Sequence, residues 1–262
     1  MKVSIVTAHY NSPEIARRQV LHYNQMDMTD CEVIFIDDGS DEDRNISSLS
    51  DIDVDFNFYV YETHDKAPWT QPKARNYGAG LAEGDYVICA DIDHIIVQET
   101  LKVAKNPIGD VIRFRRQAAI LDEDGNFVQD YKILKQWGLL NRYFRRNLRL
   151  PPHGNSYIFK RDLFLSLGGV DERYCGTGRY PNREEIRLKR KLKELGDSVT
   201  IIDDDRRPWI YMMPNGKYCG DRDYNPFGYF HNLSRERNIG RLTNKQKRRK
   251  KNERPECNNP SA

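Results

Sequence analysis

Short apolar runs alternate with helix-forming segments over the first ninety residues, and this alternation constrains the fold more than any other feature. The runs have the length of buried strands. Two intervening segments, 12–26 and 70–82, have helix signals; Ser12 is expected to cap the first, with Pro13 in its first turn. Strands separated by helices form a mainly parallel sheet with helices on both faces, so we predict a Rossmann-like α/β fold. The predicted strands of this half are residues 3–7, 32–36, 56–61 and 85–90.

The second half of the chain has a less regular pattern. Its predicted strands are residues 110–116, 156–159 and 199–203, and its predicted helices are residues 161–167 and 184–195. The basic run that begins at Lys245 leads into a segment rich in Pro, Asn and Ser, which is typical of a disordered tail.

Two pairs of aspartates follow predicted strands. Asp37 and Asp38 follow the second strand, and Asp91 and Asp93 follow the fourth. Ligands of such sheets bind beyond the carboxyl ends of the strands, so both pairs are expected to face one crevice. Because residues i and i+2 of a strand share a face, Asp91 and Asp93 can converge on one divalent cation that leaves positions open for nucleotide phosphates. A solvated, Asp-rich turn is the alternative.

The charge is unevenly distributed along the chain. Residues 1–110 contain 9 Lys and Arg against 20 Asp and Glu, whereas residues 111–262 contain 33 against 19. This polarity predicts that the second half meets a polyanion, either DNA or an anionic glycan, or makes peripheral contact with an anionic membrane face. An even spread of the charges over solvated faces is the alternative.

Composition argues against several classes of protein. The five cysteines are scattered and include no Cys-x-x-Cys pair, which disfavours a disulfide scaffold or a zinc site. No apolar run approaches the roughly 20 residues of a membrane span. The first residues enter a strand directly, without the pattern of a signal peptide. These features predict a soluble, cytoplasmic protein.

Five short motifs occur in order along the chain. They are the segments 3–11, 36–41, 73–78, 91–93 and 168–178. The first four together resemble the nucleotide-sugar-binding half of GT-A glycosyltransferases, closest to the family 2 group. The fifth, Gly-Gly-Val-Asp-Glu-Arg-Tyr-Cys-Gly-Thr-Gly, looks like the acceptor-side motif of the galactosyltransferase and polypeptide N-acetylgalactosaminyltransferase families (families 7 and 27). The resemblance implies one GT-A domain with a sugar-donor half at 1–110 and a smaller acceptor half at 111–244, followed by the tail at 245–262.

The resemblance also implies which residues bind the sugar nucleotide, for which a UDP-sugar is expected. Asp38 would accept hydrogen bonds from the nucleobase or the ribose; an Asx-turn before Gly39 is the alternative. Arg75 would lie near the diphosphate, with a surface salt bridge as the alternative. The implied residues of the donor site are Thr7, Tyr10, Asp38, Arg75, Asn76 and Asp91.

The same resemblance implies a site for Mn²⁺ or Mg²⁺. Asp93 would be the principal ligand, and Asp91 would be a second ligand or would bind the ribose of the donor. His231 matches the histidine that completes the metal site in galactosyltransferases, and neutral imidazole suits Mn²⁺. His94 and His153 are the alternatives.

Inverting sugar transfer needs a base that takes the proton of the acceptor hydroxyl. The family has a carboxylate pair at the start of a helix, which Glu184 and Glu185 match, and we assign the base to Glu185 with Glu184 as the alternative. A helix N-terminus stabilises such a charge, although an acidic capping turn would have the same sequence. The chain departs from the family pattern in an insertion before this pair and in Arg187, which replaces an acidic residue. The implied acceptor contacts are Gly169, Asp171 and Glu172.

These residues together predict a metal-dependent, inverting glycosyltransferase. The expected acceptor is a hydroxylated base in DNA or an anionic glycan, because arginines and aromatic residues cluster between 137 and 149. A sugar-nucleotide nucleotidyltransferase is one alternative, but residues 7–12 lack the glycines of its phosphate loop. A non-catalytic nucleic-acid-binding protein is the other, and the presence of Arg75, Asp91 and Asp93 argues against it.

Overall fold

A computed structural model describes most of the chain. The described residues are 1–49, 51–141, 144, 146–151, 154, 156–173, 175–176, 184–215 and 225–229, without the side chains of residues 48, 184 and 185. His153, His231 and the predicted tail at 245–262 lie outside the described residues.

The described residues form strands β1–β13 and helices α1–α6. The strands are β1 (Val3–His9), β2 (Cys31–Asp37), β3 (Asn57–Glu62), β4 (Tyr86–Asp91), β5 (His94–Ile95), β6 (Val111–Arg113), β7 (Arg115–Ala118), β8 (Ile120–Leu121), β9 (Phe127–Val128), β10 (Arg149–Leu150), β11 (Tyr157–Lys160), β12 (Ile201–Ile202) and β13 (Trp209–Met212). The helices are α1 (Pro13–Tyr23), α2 (Gln71–Leu81), α3 (Gln98–Lys105), α4 (Tyr131–Gln136), α5 (Arg161–Ser166) and α6 (Glu184–Leu195). None of these helices combines the length and the apolar character that crossing a membrane requires.

A seven-stranded sheet forms the centre of the molecule, with the strand order β12-β6-β11-β4-β1-β2-β3. Neighbouring strands pair in parallel except β11, which runs antiparallel to β4 and to β6. The predicted α/β fold with a mainly parallel sheet is therefore confirmed. Because β4 of the first half pairs with β11 of the second, both halves contribute to one sheet. A second, four-stranded sheet has the order β10-β7-β13-β5.

Helices cover both faces of the central sheet. On one face, Ile15 of α1 packs in a cluster with Ile5 of β1. On the other face, Ala74 of α2 and Phe164 of α5 belong to a cluster with Val6 of β1. Strands β1 and β2 are consequently buried along their whole length, and only their ends can present polar side chains to a ligand.

Helix α2 lies against the sheet at Gly78. A Cβ atom at this position would lie only 2.6 Å from Cγ1 of Val6, so a larger residue would push the helix outward. The predicted helix at 70–82 corresponds to α2 within one residue at each end. Its close approach brings Gln71 and Arg75 to the carboxyl edge of the sheet.

Two local predictions are wrong. The side chain of Ser12 does not cap α1. Its hydroxyl instead donates to the Tyr10 carbonyl at 2.7 Å, and its backbone N–H donates to Nε2 of His9 at 3.1 Å. The predicted strand at 110–116 is divided at Phe114, whose side chain is buried in the core. The two pieces, β6 and β7, pair in different sheets.

Candidate functional site

Both aspartate pairs lie at the same edge of the central sheet. Strand β1 separates β2 from β4, and the register places His9 opposite Asp37 and Ala8 opposite Asp91. Asp38 and Asp93 follow directly from these strand ends. The sequence predicted this shared edge, and the structure brings the two pairs to either side of the end of β1.

Helix α2 supplies the partners of Asp91. The guanidinium of Arg75 donates to Oδ1 of Asp91, and Nε2 of Gln71 donates to the same oxygen at 2.9 Å. Arg75 is fully buried. The alternative of a surface salt bridge for Arg75 is therefore wrong, because its ion pair with Asp91 is enclosed by protein. Gln71 was not predicted, although its position one helical turn before Arg75 is a usable signal.

Asp93 is a buried carboxylate beside a second carboxylate. Its Oδ2 accepts a hydrogen bond of 2.7 Å from Nδ2 of Asn215. Burial, and after it the negative charge of Asp91, raise the pKa of Asp93 to about 7. The chain therefore holds two like charges together where water screens them poorly. A cation bound between them would offset this repulsion.

The imidazole of His94 lies against both aspartates. Its Nδ1 is 3.6 Å from Oδ2 of Asp91, 3.5 Å from Oδ1 of Asp93 and 3.4 Å from Oγ of Ser156. Its Nε2 is 3.4 Å from a terminal guanidinium nitrogen of Arg116, which is also buried. One potential ligand atom from each of Asp91, Asp93 and His94 lies within 4.8 Å of the other two. Carboxylate oxygens and imidazole are ligand types that fit Mn²⁺, and the carboxylates alone fit Mg²⁺.

A polar network joins the ends of β1 and β2. Nδ1 of His9 lies 3.3 Å from Oδ2 of Asp37, and the backbone N–H of Ser40 donates to Oδ1 of Asp37 at 2.7 Å. Burial raises the pKa of Asp37, but the hydrogen bond and charge of His9 and the hydrogen bonds of Ser40 outweigh it, so this pKa lies below its usual value. The network fixes the loop that carries Asp38, whose backbone N–H donates to the His9 carbonyl at 2.8 Å.

The other predicted residues of the donor site lie close to this network or face the second half of the chain. Thr7 and Tyr10 are buried at and just beyond the end of β1. Asn76 instead contacts the segment 168–178: its amide exchanges two hydrogen bonds with the backbone of Val170 at 2.9 and 3.0 Å and donates to Glu172 at 2.6 Å.

The segment 168–178, which the sequence predicts to be an acceptor-side motif, contains a glycine that another residue would replace only with strain. Gly169 has a φ angle of +61°, and a Cβ atom there would lie 2.1 Å from Oδ1 of Asn76. Asp171 is bound by Nε of Arg173 at 2.9 Å and has Arg187 at 4.0 Å. The hydrogen bond from Arg173 is the main reason why the pKa of Asp171 lies below its usual value. Arg187, the residue that departs from the family pattern, thus adds a second cation near this carboxylate.

Helix α6 begins at Glu184, as predicted, so Glu184 and Glu185 stand in its first turn. Between α6 and the sheet lies a groove of about 430 Å³. Tyr157, Phe159 and Leu188 form its apolar wall, and its polar rim includes Arg113, Lys189, Asp203 and Arg207. Ser156 lines this groove and also contacts His94, so the groove adjoins the acidic pair.

Comparisons with known proteins agree with this architecture. A family model described as glycosyltransferase like family 2 matches residues 3–245. No curated protein sequence matches the chain. Among solved structures, residues 1–349 of S. aureus TarS match with a TM-score of 0.54 and 18% identity, over 81% of this chain and 60% of TarS 1–349.

Two further structures contain ligands. TarS 1–349 in complex with UDP-GlcNAc matches with a TM-score of 0.52 and 18% identity, over 88% of this chain and 62% of that one. The mannosyltransferase PcManGT from Pyrobaculum calidifontis, in complex with GDP-Man and Mn²⁺, matches with a TM-score of 0.51 and 16% identity, over 83% and 58%. The predicted GT-A fold is confirmed by these matches. The chain spans about 60% of the length of these structures.

Proposed function

The chain belongs to glycosyltransferase-like family 2, and from that premise we propose that it transfers a sugar from a nucleotide sugar to an acceptor hydroxyl. The observation that carries this proposal is the position of two acidic pairs at one edge of the sheet, on either side of the end of β1. The pair Asp37 and Asp38 suits the nucleoside, and the pair Asp91 and Asp93 suits a cation beside the diphosphate.

The nucleoside of the donor would lie at the end of β2. Asp38 is buried there, and the network of His9 and Asp37 holds its loop in place. Thr7 and Tyr10 would complete this part of the donor site. A UDP-sugar is the donor that we propose first, and the complexes of TarS with UDP-GlcNAc and of PcManGT with GDP-Man make UDP- and GDP-sugars the panel to test.

Asp91 and Asp93 would hold Mn²⁺ or Mg²⁺. An ion held by these carboxylates would supply Lewis-acid stabilisation to the diphosphate leaving group. Arg75 and Gln71 orient Asp91, and Asn215 orients Asp93, so the carboxylates are positioned before the ion arrives. His231, by the family resemblance, would be a further ligand.

The transfer would invert the anomeric centre. The acceptor oxygen attacks the anomeric carbon, the bond from that carbon to the diphosphate oxygen breaks, and the acceptor proton passes to a carboxylate. Glu185 is the proposed base, with Glu184 as the alternative, because both stand in the first turn of α6, where the helix dipole stabilises a negative charge.

The acceptor would bind on the α6 side of the acidic pair. Gly169, Asp171 and Glu172 would contact the acceptor, as the family 7/27-like motif implies, and the groove beneath α6 would extend this site. The rim of this groove has three cationic side chains and one carboxylate, which favours an anionic acceptor such as DNA with a hydroxylated base or an anionic glycan. Transfer that weakens steeply with added salt would support a polyanion, and indifference to salt would contradict it.

Slow hydrolysis of the donor tests the reaction without the acceptor. The protein is incubated with a panel of UDP- and GDP-sugars, with and without Mn²⁺, and the release of nucleoside diphosphate is measured. We expect release that requires Mn²⁺, is lost in Asp93→Asn and is kept in Asp205→Asn, a control at an exposed aspartate. Formation of nucleoside triphosphate from pyrophosphate would indicate a nucleotidyltransferase instead, and absence of both nucleotide binding and hydrolysis would indicate a binding protein.

A further inference from the structure

A pocket of about 490 Å³ lies on the face of the second sheet that points away from the acidic pair. Successive side chains of a strand point to opposite faces of its sheet. In β7, the guanidinium of Arg116 lies 3.4 Å from the ring of His94, so the next side chain, Gln117, points the other way and lines the pocket. Among the described residues, none lines both this pocket and the groove beneath α6. The pocket is therefore separate from the proposed reaction site.

Three amide side chains line this pocket, those of Gln117, Gln129 and Asn147, and we call it the amide pocket. Nε2 of Gln129 donates to Oε1 of Gln117 at 3.0 Å, and Nε2 of Gln117 donates to the backbone carbonyl of Asn147 at 2.8 Å. Oδ1 of Asn147 accepts from the N–H of Arg149 at 3.2 Å. Among the described residues these bonds use one end of the Gln129 and Asn147 amides, which leaves Oε1 of Gln129 as an acceptor and Nδ2 of Asn147 as a donor. Because the amides are already held in place, a ligand would bind them at a low cost in side-chain entropy.

Cations outnumber carboxylates in the amide pocket. Lys132 and Arg146 are exposed and line it together with one carboxylate, that of Asp130. Oδ1 of Asp130 already accepts from the backbone N–H groups of Lys132 at 2.7 Å and Ile133 at 3.0 Å. Guanidinium and ammonium groups bind carboxylates and phosphates through charge-assisted hydrogen bonds. The charge of the pocket thus favours a ligand with an anionic group.

The ring of Tyr131 adds an aromatic surface to the amide pocket. A pyranose has an apolar face of C–H groups, which packs on an aromatic ring, and a rim of hydroxyls, which exchange hydrogen bonds with amides. The volume of the pocket lies within the range of roughly 300–1,000 Å³ that is usual for small-ligand sites. A duplex of DNA instead needs a row of cations along its phosphates, and this pocket offers two cations beside recessed amides. Its chemistry therefore fits a saccharide better than a nucleic acid.

We propose that the amide pocket is a second ligand site of this protein and that it binds a saccharide with a carboxylate or phosphate group. Its part in sugar transfer rests on the proposed function. Because the second sheet separates the pocket from the acidic pair, one short ligand cannot occupy both places. The pocket would hold a distant segment of a polymeric, anionic glycan whose end reaches the acidic pair, and binding at two places on one polymer raises the overall affinity.

Calorimetric titration of the full chain tests the ligand chemistry. The charged probes are trigalacturonate and maltotriose phosphate, which distinguish a carboxylate from a phosphate source. We expect at least one of them to bind, and its neutral counterpart, the methyl ester of trigalacturonate or maltotriose, to bind at least about tenfold more weakly because the charge-assisted bonds are lost. Binding of neither charged probe would overturn the proposal. Equally tight binding of inorganic tripolyphosphate would show a site for anions only, and tighter binding of a short DNA duplex would show a nucleic-acid surface; either result would overturn it as well.

Variants locate the site. Lys132→Glu combined with Arg146→Glu should raise the Kd of the charged probe about tenfold or more. Lys102→Glu combined with Lys193→Glu changes the net charge equally at exposed lysines that do not line the pocket, and should leave the Kd unchanged. Equal effects of the two double variants would overturn the proposal, because they would indicate long-range attraction alone.

A neutral variant tests the amides separately from the charge. Gln129→Ala should raise the Kd of the charged saccharide about fivefold, since one acceptor for a hydroxyl is lost, and should leave any binding of tripolyphosphate unchanged. Gln136→Ala, at an exposed glutamine of α4, is the matched control. Thermal unfolding of each variant checks that it folds, and an unchanged Kd in a folded Gln129→Ala would overturn the role of the amides in binding a saccharide.

Donor hydrolysis by the same variants separates this site from the proposed function. We expect hydrolysis to be unchanged in all of them, since none of the substituted residues belongs to the proposed reaction site. Saccharide binding without any donor hydrolysis in wild type would refute the proposed function and leave the amide pocket established. Hydrolysis without saccharide binding would refute the amide pocket alone.

Discussion

Asn215 donates a 2.7 Å hydrogen bond to Oδ2 of Asp93, although the two residues are 122 positions apart in the sequence. The chain returns to this carboxylate by way of β13, since the N–H of Met213 also donates to the Asp93 carbonyl at 2.8 Å. The second half of the protein therefore fixes the orientation of an acid that the first half supplies.

This contact gives the first prediction. Asn215→Ala should weaken Mn²⁺ binding by about tenfold, because an orienting partner of a ligand is lost while both carboxylates remain. Calorimetric titration with Mn²⁺ measures the change. Asn106→Ala, which removes a surface amide bonded to its own helix, is the control and should leave the affinity unchanged. Equal affinity in both variants would contradict a role for Asn215.

Asp93→Asn should raise the stability of the metal-free protein and abolish the binding of Mn²⁺. The buried charge of Asp93 beside Asp91 raises its pKa to about 7, so its ionisation destabilises the metal-free fold. A folded-state pKa above the unfolded value means that this destabilisation develops as the pH rises above about 4 and is complete above about 7. We therefore expect the metal-free variant to have a higher Tm than wild type at pH 8 and to lose the rise in Tm on adding Mn²⁺. A lower Tm with retained response to Mn²⁺ would contradict this.

Gly169→Ala should destabilise the protein more than Gly138→Ala. Both glycines have positive φ angles, so either alanine should cost about 1 kcal/mol of backbone strain. A Cβ at Gly138 meets no atom within 4 Å, whereas one at Gly169 would lie 2.1 Å from Oδ1 of Asn76 and break its bonds to Val170. We expect a further loss of about 2 kcal/mol for Gly169→Ala. Urea unfolding of the two variants measures the difference, and equal stabilities would contradict the close contact.

His22 should make the stability depend on pH. Its imidazole is buried between the carbonyls of Ile96 and Gly125, and burial lowers its pKa despite the two hydrogen bonds. Below about pH 6.5 the unfolded chain therefore binds a proton at His22 more readily than the folded chain does. The free energy of unfolding should consequently fall as the pH drops below that value. Unfolding at pH 7.5 and 5.5 measures this slope. His22→Gln should have a smaller slope over this range, and an unchanged slope would sink the prediction.

Lys189→Glu should impair use of an anionic acceptor. Lys189 lines the groove beneath α6, whereas Lys193 is an exposed residue one turn further along the helix and does not line it. We expect the KM for the acceptor to rise about fivefold or more in Lys189→Glu, with a weaker salt dependence, while donor hydrolysis stays unchanged. Lys193→Glu should change neither. A similar effect of both variants would indicate general repulsion and not a specific acceptor groove.

Local features explain how much of the fold could be predicted. The apolar runs and the helix signals around α2 depend on neighbouring residues only, so the predicted strands 3–7, 32–36, 56–61 and 85–90 and this helix match β1–β4 and α2 within two positions. The short strands β5, β8–β10 and β13 and the helices α3 and α4 were not predicted. The predicted cap at Ser12 is wrong because its hydroxyl donates to the Tyr10 carbonyl and its backbone N–H donates to the His9 ring. The single strand predicted at 110–116 is wrong because its two pieces pair in different sheets. Their partners, β11 and β12 for β6 and β10 and β13 for β7, come much later in the chain.

The sequence by itself determined that Asp91 and Asp93 stand at the end of a buried strand, on the same edge as Asp38, because strand periodicity and parallel connections depend on short-range pattern. Only the tertiary structure decided which distant groups surround this edge. Arg116 contacts His94, Asn215 donates to Asp93, and Asn76 donates to the carbonyl of Val170. These contacts join residues that are far apart along the chain. Their geometry follows from how the two sheets and α2 pack together, which no local pattern records.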